Sequence, residues 1–267
     1  MSDAFPQRIV CLTEEPTEVL YAIGEADRIV GISGFTVRPA RARKEKPKVS
    51  AFTSAKVDDI VRLDPDLVVG FSDIQADIAQ ALIKRGIEVW ISNHRSVAGI
   101  IAYVRRLGAM VGAWERSERY ATELEAHIAR VSTSALRLPR RPRVYFEEWD
   151  DPQISAILWV SELIDMAGGS DIFPDRAASS LAQGRIVANP QEVARSDPDI
   201  IIGSWRGKKF RPERVAARQG WSDIAAVRDG ALHEIKSSII LQPGPAALTD
   251  GLDALHSIIA HWAGAPD

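Results

Sequence analysis

The chain has 267 residues, of which 46% are hydrophobic and 26% charged, and its formal net charge is −3. This composition excludes a disordered chain, and the small negative charge gives no general attraction to nucleic acid or to an anionic membrane. No stretch approaches the roughly 20 apolar residues that a helix needs to cross a bilayer, so we expect no membrane insertion.

The first 95 residues alternate short apolar runs with helical patterns. The apolar runs predict strands, at 9–12, 29–32, 67–69 and 88–91. The helical patterns predict helices, at 17–23, 57–63 and 76–85. Thr17 is the expected N-cap of the first helix, and Gly24 is its expected stop. Strands that alternate with helices indicate βαβ units around a largely parallel sheet.

A basic loop bounded by prolines spans residues 35–48. Such a loop is usually a solvated surface, but at the rim of a binding site its side chains can pair with carboxylates or phosphate on a ligand. The basic side chains of this loop are Arg38, Arg41, Arg43 and Lys44, and a second set follows later in the chain at Arg206, Lys208 and Lys209.

Residues 96–138 have a wholly helical pattern, and 115–138 contain neither Gly nor Pro. Twenty-four helical residues give a rod of roughly 36 Å, which Pro139 and Pro142 end abruptly. We therefore predict an N-terminal α/β lobe at 1–112, a linking helix at 113–139 and a C-terminal α/β lobe at 140–267. A stiff helical link would limit opening and closing of the lobes to a few degrees.

The remaining chain repeats the pattern of the first lobe. The predicted strands lie at 143–146, 200–202 and 232–235, and the predicted helices at 158–166, 190–196 and 247–262. Residues 59–70 return without a gap as 192–203, each with an acidic residue, a short helix, Asp-Pro-Asp, an apolar triplet and a closing Gly. Two copies more than a hundred residues apart indicate two lobes, and a cleft between lobes is a common place for a small-molecule site.

The loops after the two repeated strands are the first candidates for ligand contact, because ligands of open α/β sheets lie beyond the carboxyl ends of the strands. Pro65 and Pro198 disfavour helix in the preceding Asp, which should end each short helix. The closing Gly of each repeat is expected to let the next loop bend toward the cleft. The candidate residues are Phe71, Ser72 and Asp73 in the first lobe and Ser204, Trp205 and Arg206 in the second. The alternative is that both loops are plain surface turns.

Four segments in this order resemble the substrate-binding proteins of cobalamin and ferric-siderophore ABC importers. The segments are 8–13 with Thr17 and Glu18, 20–24 with 27–33, the two Asp-Pro-Asp repeats, and 164–173. The resemblance implies two Rossmann-like α/β lobes with parallel-type central sheets, joined by one long rigid α-helix. This is the class III periplasmic-binding-protein fold, and it implies a ligand held in a shallow cleft.

The resemblance also assigns aromatic residues to the ligand site. Phe35 stands where the family has a stacking aromatic, and Phe52, followed by Thr53, stands where it has a Trp. Trp149 and Trp159 fall in a region that lines the family's cleft. Arg185 replaces a further Trp, which Trp205 can supply instead. Aromatic side chains suit a flat corrin or porphyrin because they offer apolar area with few rotatable bonds, although core packing is the alternative for each one.

Members of this family dock to a membrane permease through one Glu on each lobe. The matching positions lie seven residues before the repeated prolines, where this chain has Asp58 and Gln191. We therefore expect Asp58 to serve on the first lobe and Glu192, next to Gln191, on the second.

The leading hypothesis is a non-catalytic binding protein for cobalamin or a related corrinoid, acting in ABC-type uptake or in intracellular handling. The first alternative keeps the fold and changes the ligand to a ferric siderophore or haem. The second is a cytosolic enzyme or sensor on the same fold, with Asp73, His94 and Arg206 as its candidate residues.

No motif for catalysis, for a resident metal or for a cofactor of the protein's own was found. Cys11 is expected in the core, and His94 is expected to be structural unless it reaches a bound metal. The acids Glu14, Glu15 and Glu18 suit the first turn of a helix and need no other role. The chain carries no secretion signal, so we expect a cytoplasmic protein, or a periplasmic one if it is a processed form. We expect a monomer.

Overall fold

The computed structural model describes residues 4–51 and 53–264. The described chain forms two compact units, unit 1 from 4–94 with 98–125, and unit 2 from 95–97 with 126–264. The strands are β1 (Ile9–Cys11), β2 (Ile29–Ser33), β3 (Lys48–Ser50), β4 (Leu67–Phe71), β5 (Val89–Ser92), β6 (Arg143–Asp150), β7 (Gln153–Ser155), β8 (Ser170–Asp171), β9 (Ile200–Gly203) and β10 (Leu232–Glu234).

Helices flank the strands in both units. They are α1 (Glu14–Ala22), α2 (Ala42–Glu45), α3 (Val57–Arg62), α4 (Ala76–Ile83), α5 (Val97–Met110), α6 (Trp114–Ala135), α7 (Leu158–Met166), α8 (Pro174–Ala177), α9 (Gln191–Ser196), α10 (Pro212–Ala216), α11 (Ala225–Arg228), α12 (Ser237–Ile240) and α13 (Leu252–Ala263). A π-helical turn, Ala247–Gly251, precedes α13. In the described part of the chain, no helix is long and apolar enough to cross a membrane.

The sheet of unit 1 is wholly parallel, with strand order β3-β2-β1-β4-β5. The sheet of unit 2 has the order β10-β9-β6-β7, and β8 also pairs with β6. Its pairs are parallel except β6 with β7, which the short turn at 151–152 forces to be antiparallel. The two-lobed α/β prediction is confirmed, and the sequence pattern missed the short strands β3, β7 and β8.

The sequence repeat produces the same local structure in both units, which we call the Arg–Asp anchor. In unit 1, Asp66 accepts the backbone N–H groups of Gln7 and Arg8 at 2.6 and 2.9 Å. The guanidinium of Arg8 donates to the carbonyl oxygens of Leu63 and Asp64 behind helix α3. These bonds fasten the start of β1 to the end of α3.

In unit 2 the anchor consists of Arg143 and Asp199. Asp199 accepts the backbone N–H of Arg143 at 2.7 Å. The Arg143 side chain donates to the carbonyl oxygen of Ser196, at the end of α9, at 3.0 Å. The repeated Asp-Pro-Asp therefore has a structural role in joining helix, turn and strand.

The first Asp of each repeat has left-handed backbone geometry, with φ of 47° at Asp64 and 41° at Asp197. Asp tolerates this conformation better than most residues because its short polar side chain can bond locally. The helices end one or two residues earlier, at Arg62 and Ser196, as the following prolines predict.

The closing glycines are needed for space, which corrects the expectation that they bend the loops. A Cβ built on Gly203 would lie 1.9 Å from the ring of Phe210. One built on Gly70 would lie 2.5 Å from the side-chain oxygen of Gln75. The bend after β4 is made by Ser72 instead, whose φ is 64°.

The N-cap of helix α1 is Thr13, four residues before the predicted Thr17, and the helix begins at Glu14. Pro16 is compatible with this start because the first turn of a helix has no intrahelical partners for its N–H groups. Glu14 and Glu15 lie in the first turn as predicted, and they are buried. Glu18 lies one turn further along the helix.

The predicted long helical segment is two helices, because the chain turns at Gly112 with a φ of 70°. Helix α6 has 22 residues and is therefore about 33 Å long. The division between the two units falls within it. The boundaries proposed for the lobes and the linking helix stay a prediction.

Candidate functional site

The carboxyl ends of five parallel strands form one edge of the sheet of unit 1. Phe35 follows β2 at this edge with 55% of its surface exposed. Ile74 follows β4 and is 43% exposed. Because β2 and β4 flank β1, the edge offers apolar side chains on both sides of the start of α1.

Arg43 fixes the loop that carries Phe35. Its Nη1 donates to the carbonyl oxygens of Gly34 and Thr36 at 2.7 and 2.8 Å. The backbone N–H of Phe35 donates to Ser33 Oγ at 3.1 Å. The basic loop is therefore more than a solvated surface, since one of its arginines orders an exposed aromatic.

The other basic residues of this loop have different partners. Arg38 pairs with Glu18 at 3.2 Å. The guanidinium of Arg41 lies 4.9 Å from the ring centroid of Tyr21. Lys44 is exposed on α2.

The loop after β4 is held by Gln75. Its Oε1 accepts the backbone N–H of Phe71 at 2.9 Å, and its Nε2 donates to the carbonyl oxygen of Leu12 at 3.4 Å. Phe71 and Ser72 are buried, whereas Asp73 is exposed. Of the three residues predicted here, only Asp73 is open to solvent in the structure.

His94 is buried in an aromatic stack, which agrees with its expected structural position. Its ring lies 4.4 Å from that of Tyr103 and 5.1 Å from that of Phe71. Its Nδ1 is 2.8 Å from Ser92 Oγ. Cys11 is also in the core, where burial raises the pKa of its thiol to about 12.

Phe52 lies outside the described residues. Thr53, which follows it, is exposed.

The corresponding edge of unit 2 contains a fully buried carboxylate, Glu147, near the end of β6. Arg218 donates to both of its oxygens, at 2.6 and 2.8 Å. The indole of Trp205 and the hydroxyl of Tyr145 donate to it at 3.0 and 3.1 Å. Burial lowers the pKa of Arg218, but the hydrogen bonds that it donates to Glu147 and the charge of that carboxylate outweigh burial and hold the pKa above its usual value.

The neighbouring Glu148 is buried as well and holds two arginines. Arg185 donates to its Oε2 and also to the carbonyl oxygen of Ser155, the latter at 2.7 Å. Arg206 Nη2 lies 3.3 Å from its Oε1. Arg185, predicted as a ligand residue, is therefore a buried structural partner of Glu148 with 2% exposure.

Trp149 makes a cation–π contact with the ammonium group of Lys208. Lys208 Nζ lies 4.0 Å from the ring centroid and 2.9 Å from Asp150 Oδ1. The indole N–H of Trp149 donates to the carbonyl oxygen of Asp151 at 2.8 Å. An aromatic ring and an ammonium group are thus held together at the end of β6.

Two predicted aromatics are buried rather than exposed. Trp159 on α7 is 1% exposed, and its indole donates to the carbonyl oxygen of Ile240 at 2.9 Å. Trp205 is 3% exposed and lies 5.1 Å from the ring of Phe210. Ser204 beside it is also buried. The indole N–H groups of Trp159 and Trp205 both donate hydrogen bonds inside unit 2, which could not be predicted from their positions in the sequence.

The predicted docking acids both have basic neighbours. Asp58 is well exposed and pairs with Arg85 at 2.8 Å. Glu192 is partly exposed and pairs with Arg176 at 2.6 Å. Gln191 Nε2 donates to the carbonyl oxygen of Gln219 at 3.0 Å. The docking role stays a prediction.

Sequence reasoning missed Glu147, Glu148, Arg218 and Ile74. A signal for the acids existed, because two consecutive glutamates inside an apolar strand need buried partners. Ile74 also stood out as an apolar residue within a polar loop. Among the described residues, no group of three His, Cys, Asp or Glu side chains could hold a metal ion.

Comparison with known proteins places these features in a family. The chain is 22% identical over 259 residues to an uncharacterized ABC transporter substrate-binding lipoprotein of Bacillus subtilis, covering 94% of this chain and 79% of that one. It is 24% identical over 250 residues to a cobalamin-binding protein of Halobacterium salinarum, covering 91% and 67%.

A periplasmic heme-binding protein from Roseiflexus sp. RS-1, solved in apo form, has a similar fold with a TM-score of 0.77. The identity is 24%, and the match covers 95% of this chain and 99% of the other. The family model described as periplasmic binding protein matches residues 9–239. The chain belongs to the periplasmic binding protein family.

Proposed function

We propose that this protein binds cobalamin or a related corrinoid and delivers it, without catalysis, to an ABC-type uptake system or to an intracellular acceptor. The observation that carries the proposal is the exposed ring of Phe35 at the carboxyl edge of the unit 1 sheet, on a loop ordered by Arg43. A fixed aromatic loses little entropy when a flat ligand covers it.

Unit 2 supports the proposal with the pair formed by Trp149 and Lys208. The aromatic ring suits the apolar part of a macrocycle. The ammonium group suits a phosphate or carboxylate on its periphery. Corrinoids and haem both combine a flat ring system with such groups.

The corrinoid is favoured over haem by the position of His94. Haem iron is commonly held by an axial side chain from the protein, and histidine is a frequent one. His94, which follows β5, is 8% exposed and is packed against Tyr103 and Phe71. The relative named as a cobalamin-binding protein supports the same choice.

Haem or a ferric siderophore is the second candidate, supported by the heme-binding structure of similar fold. The delivery role is supported by the relative named as an ABC transporter substrate-binding lipoprotein. Asp58 and Glu192 are the proposed docking acids.

Calorimetry tests the ligand. Titration of the purified protein with cyanocobalamin should give saturable binding, and hemin in a parallel titration should bind more weakly. A visible absorption band of the protein as purified, and its wavelength, would separate a corrinoid from haem. Saturable binding of hemin with no heat from millimolar cyanocobalamin would replace the proposal by its alternative.

A further inference from the structure

A cavity of about 500 Å³ lies within unit 1, beside α1. Its walls come from α1, from the loop that follows β2 and from α6. The residues that carry the argument are Glu18, Tyr21, Val37, Arg38, Arg41 and Tyr120. Neither Phe35 nor Trp149, on which the proposed function rests, lines this cavity.

The ionisable groups of the wall give it a net positive charge. Glu18 and Arg38 pair with each other at 3.2 Å and offset one another. Arg41 lies over the ring of Tyr21 and forms no ion pair with the residues that the structure describes. Glu45 lies outside the cavity wall, and its carboxylate accepts a hydrogen bond from the hydroxyl of Tyr21 at 2.6 Å. Arg41 is therefore a guanidinium available to an anion.

The rest of the wall is aromatic and apolar. Tyr120 is partly exposed, and Val37 exposes 39% of its surface. Burial, together with the charge of Glu18, raises the pKa of Tyr120, and burial, together with Glu45, raises that of Tyr21. Both phenols are therefore neutral at pH 7 and do not repel an anion.

We propose that this cavity is a second binding site, which takes a small aromatic carboxylate. The carboxylate pairs with Arg41, whose planar fork matches two oxygens. The ring of the ligand packs on Tyr120 and Val37, where apolar area is exposed in the free protein. The cavity shares the loop that follows β2 with the proposed corrinoid-binding surface, but Phe35 and Trp149 do not line it, so the two proposals can be tested separately.

Naphthalene-2-carboxylate is a suitable probe. At about 0.3 kcal/mol for each of its roughly 13 non-hydrogen atoms, its Kd should be on the order of 1 mM. Calorimetry should show saturable binding to the wild-type protein. The amine of the same shape, naphthalen-2-ylmethanamine, should not bind, because its charge has the wrong sign.

Two variants and a matched control locate the site. Arg41→Gln should weaken binding of the naphthoate by about tenfold, and Tyr120→Leu should weaken it by several fold. Lys44→Gln removes a positive charge from the same loop, outside the cavity wall, and should leave affinity unchanged. Circular dichroism checks that each variant is folded.

Equal loss of affinity in R41Q and K44Q would mean attraction by general charge and would overturn the proposal. Absence of binding at ten times the expected Kd would do the same. Saturating naphthoate should leave the affinity for cyanocobalamin unchanged, and competition between the two would contradict a separate site. Failure of cyanocobalamin to bind would count only against the proposed function.

Discussion

Leu12 in unit 1 and Glu147 in unit 2 occupy equivalent positions. Leu12 follows residues 9–11 of β1, and Glu147 follows residues 144–146 of β6, which pair in the same register with the repeated strands β4 and β9. Leu12 is buried among apolar side chains of the unit 1 core. Glu147 is equally buried but holds Arg218, Trp205 and Tyr145 by hydrogen bonds. The same backbone therefore supports an apolar edge in one unit and a charged network in the other.

The comparison shows which parts of the repeat are architectural. Both units keep the Arg–Asp anchor and a left-handed Asp before Pro. They differ just beyond the repeated strand, where unit 1 buries the small Ser72 and unit 2 buries the large Trp205 at the equivalent position. The two copies of the repeat therefore share the same frame and differ in the residues at the strand ends.

The largest effect should come from Glu147→Leu, which places in unit 2 the residue that unit 1 has at the equivalent position, Leu12. It leaves Arg218 partly buried without its carboxylate, so unit 2 should lose about 3 kcal/mol of unfolding free energy. Urea unfolding followed by circular dichroism measures this loss. The double variant E147L/R218M should recover most of it, and a loss below about 1 kcal/mol in the single variant would contradict the network's importance.

The next largest effect should come from Gly203→Ala. Its Cβ would lie 1.9 Å from the ring of Phe210, so overpacking should cost about 2–3 kcal/mol. The equivalent Gly70→Ala meets the ends of the Gln75 and Ile91 side chains at 2.5 and 2.7 Å, which is a smaller overlap than at Gly203, and should cost about 1–2 kcal/mol. Thermal unfolding of both variants checks the order, and the reverse order would be inconsistent with this packing.

The anchors should behave alike in the two units. Asp66→Ala and Asp199→Ala each remove acceptors for a backbone N–H at a strand start, and each should cost about 1 kcal/mol. Asn at either position keeps one acceptor and should recover part of the loss. Denaturant unfolding of the four variants measures this, and a cost confined to one unit would break the proposed equivalence.

The smallest effect concerns pH. Burial, with His261 nearby, lowers the pKa of His233 on β10 below its usual 6.5. The unfolded chain then binds a proton more readily than the folded chain, so stability is lost as pH falls below about 6.5. His233→Gln should flatten this part of the stability curve, as unfolding measured at several pH values can show. If the unfolding free energy of H233Q depends on pH as steeply as that of the wild-type protein, the loss of stability comes from other groups.

The sequence predicted the periodic elements well because their signals are local. Helix α7 was predicted residue for residue, since apolar spacing defines it and Gly168 stops it. The buried state of Trp205 could not be predicted, because its partner Glu147 lies 58 residues away. The start of α1 was misplaced because Thr17 is a good N-cap type, although Thr13 takes that position.

The candidate site was predicted only in part, because local signals are visible in the sequence and contacts between distant residues are not. Phe35 was found by resemblance and is exposed, whereas the buried pairing of Arg185 with Glu148 depends on a contact between distant segments. Charge and aromatic type alone do not distinguish a ligand residue from a buried partner.

The most direct test of the proposed function is a calorimetric titration of cyanocobalamin with one aromatic removed from each unit. Phe35→Ala and Trp149→Ala should each weaken binding by about 1–3 kcal/mol, whereas Trp114→Ala, at an exposed position on α6, should leave it unchanged. Unchanged affinity in both F35A and W149A, with folding intact, would contradict the assignment of the binding surface.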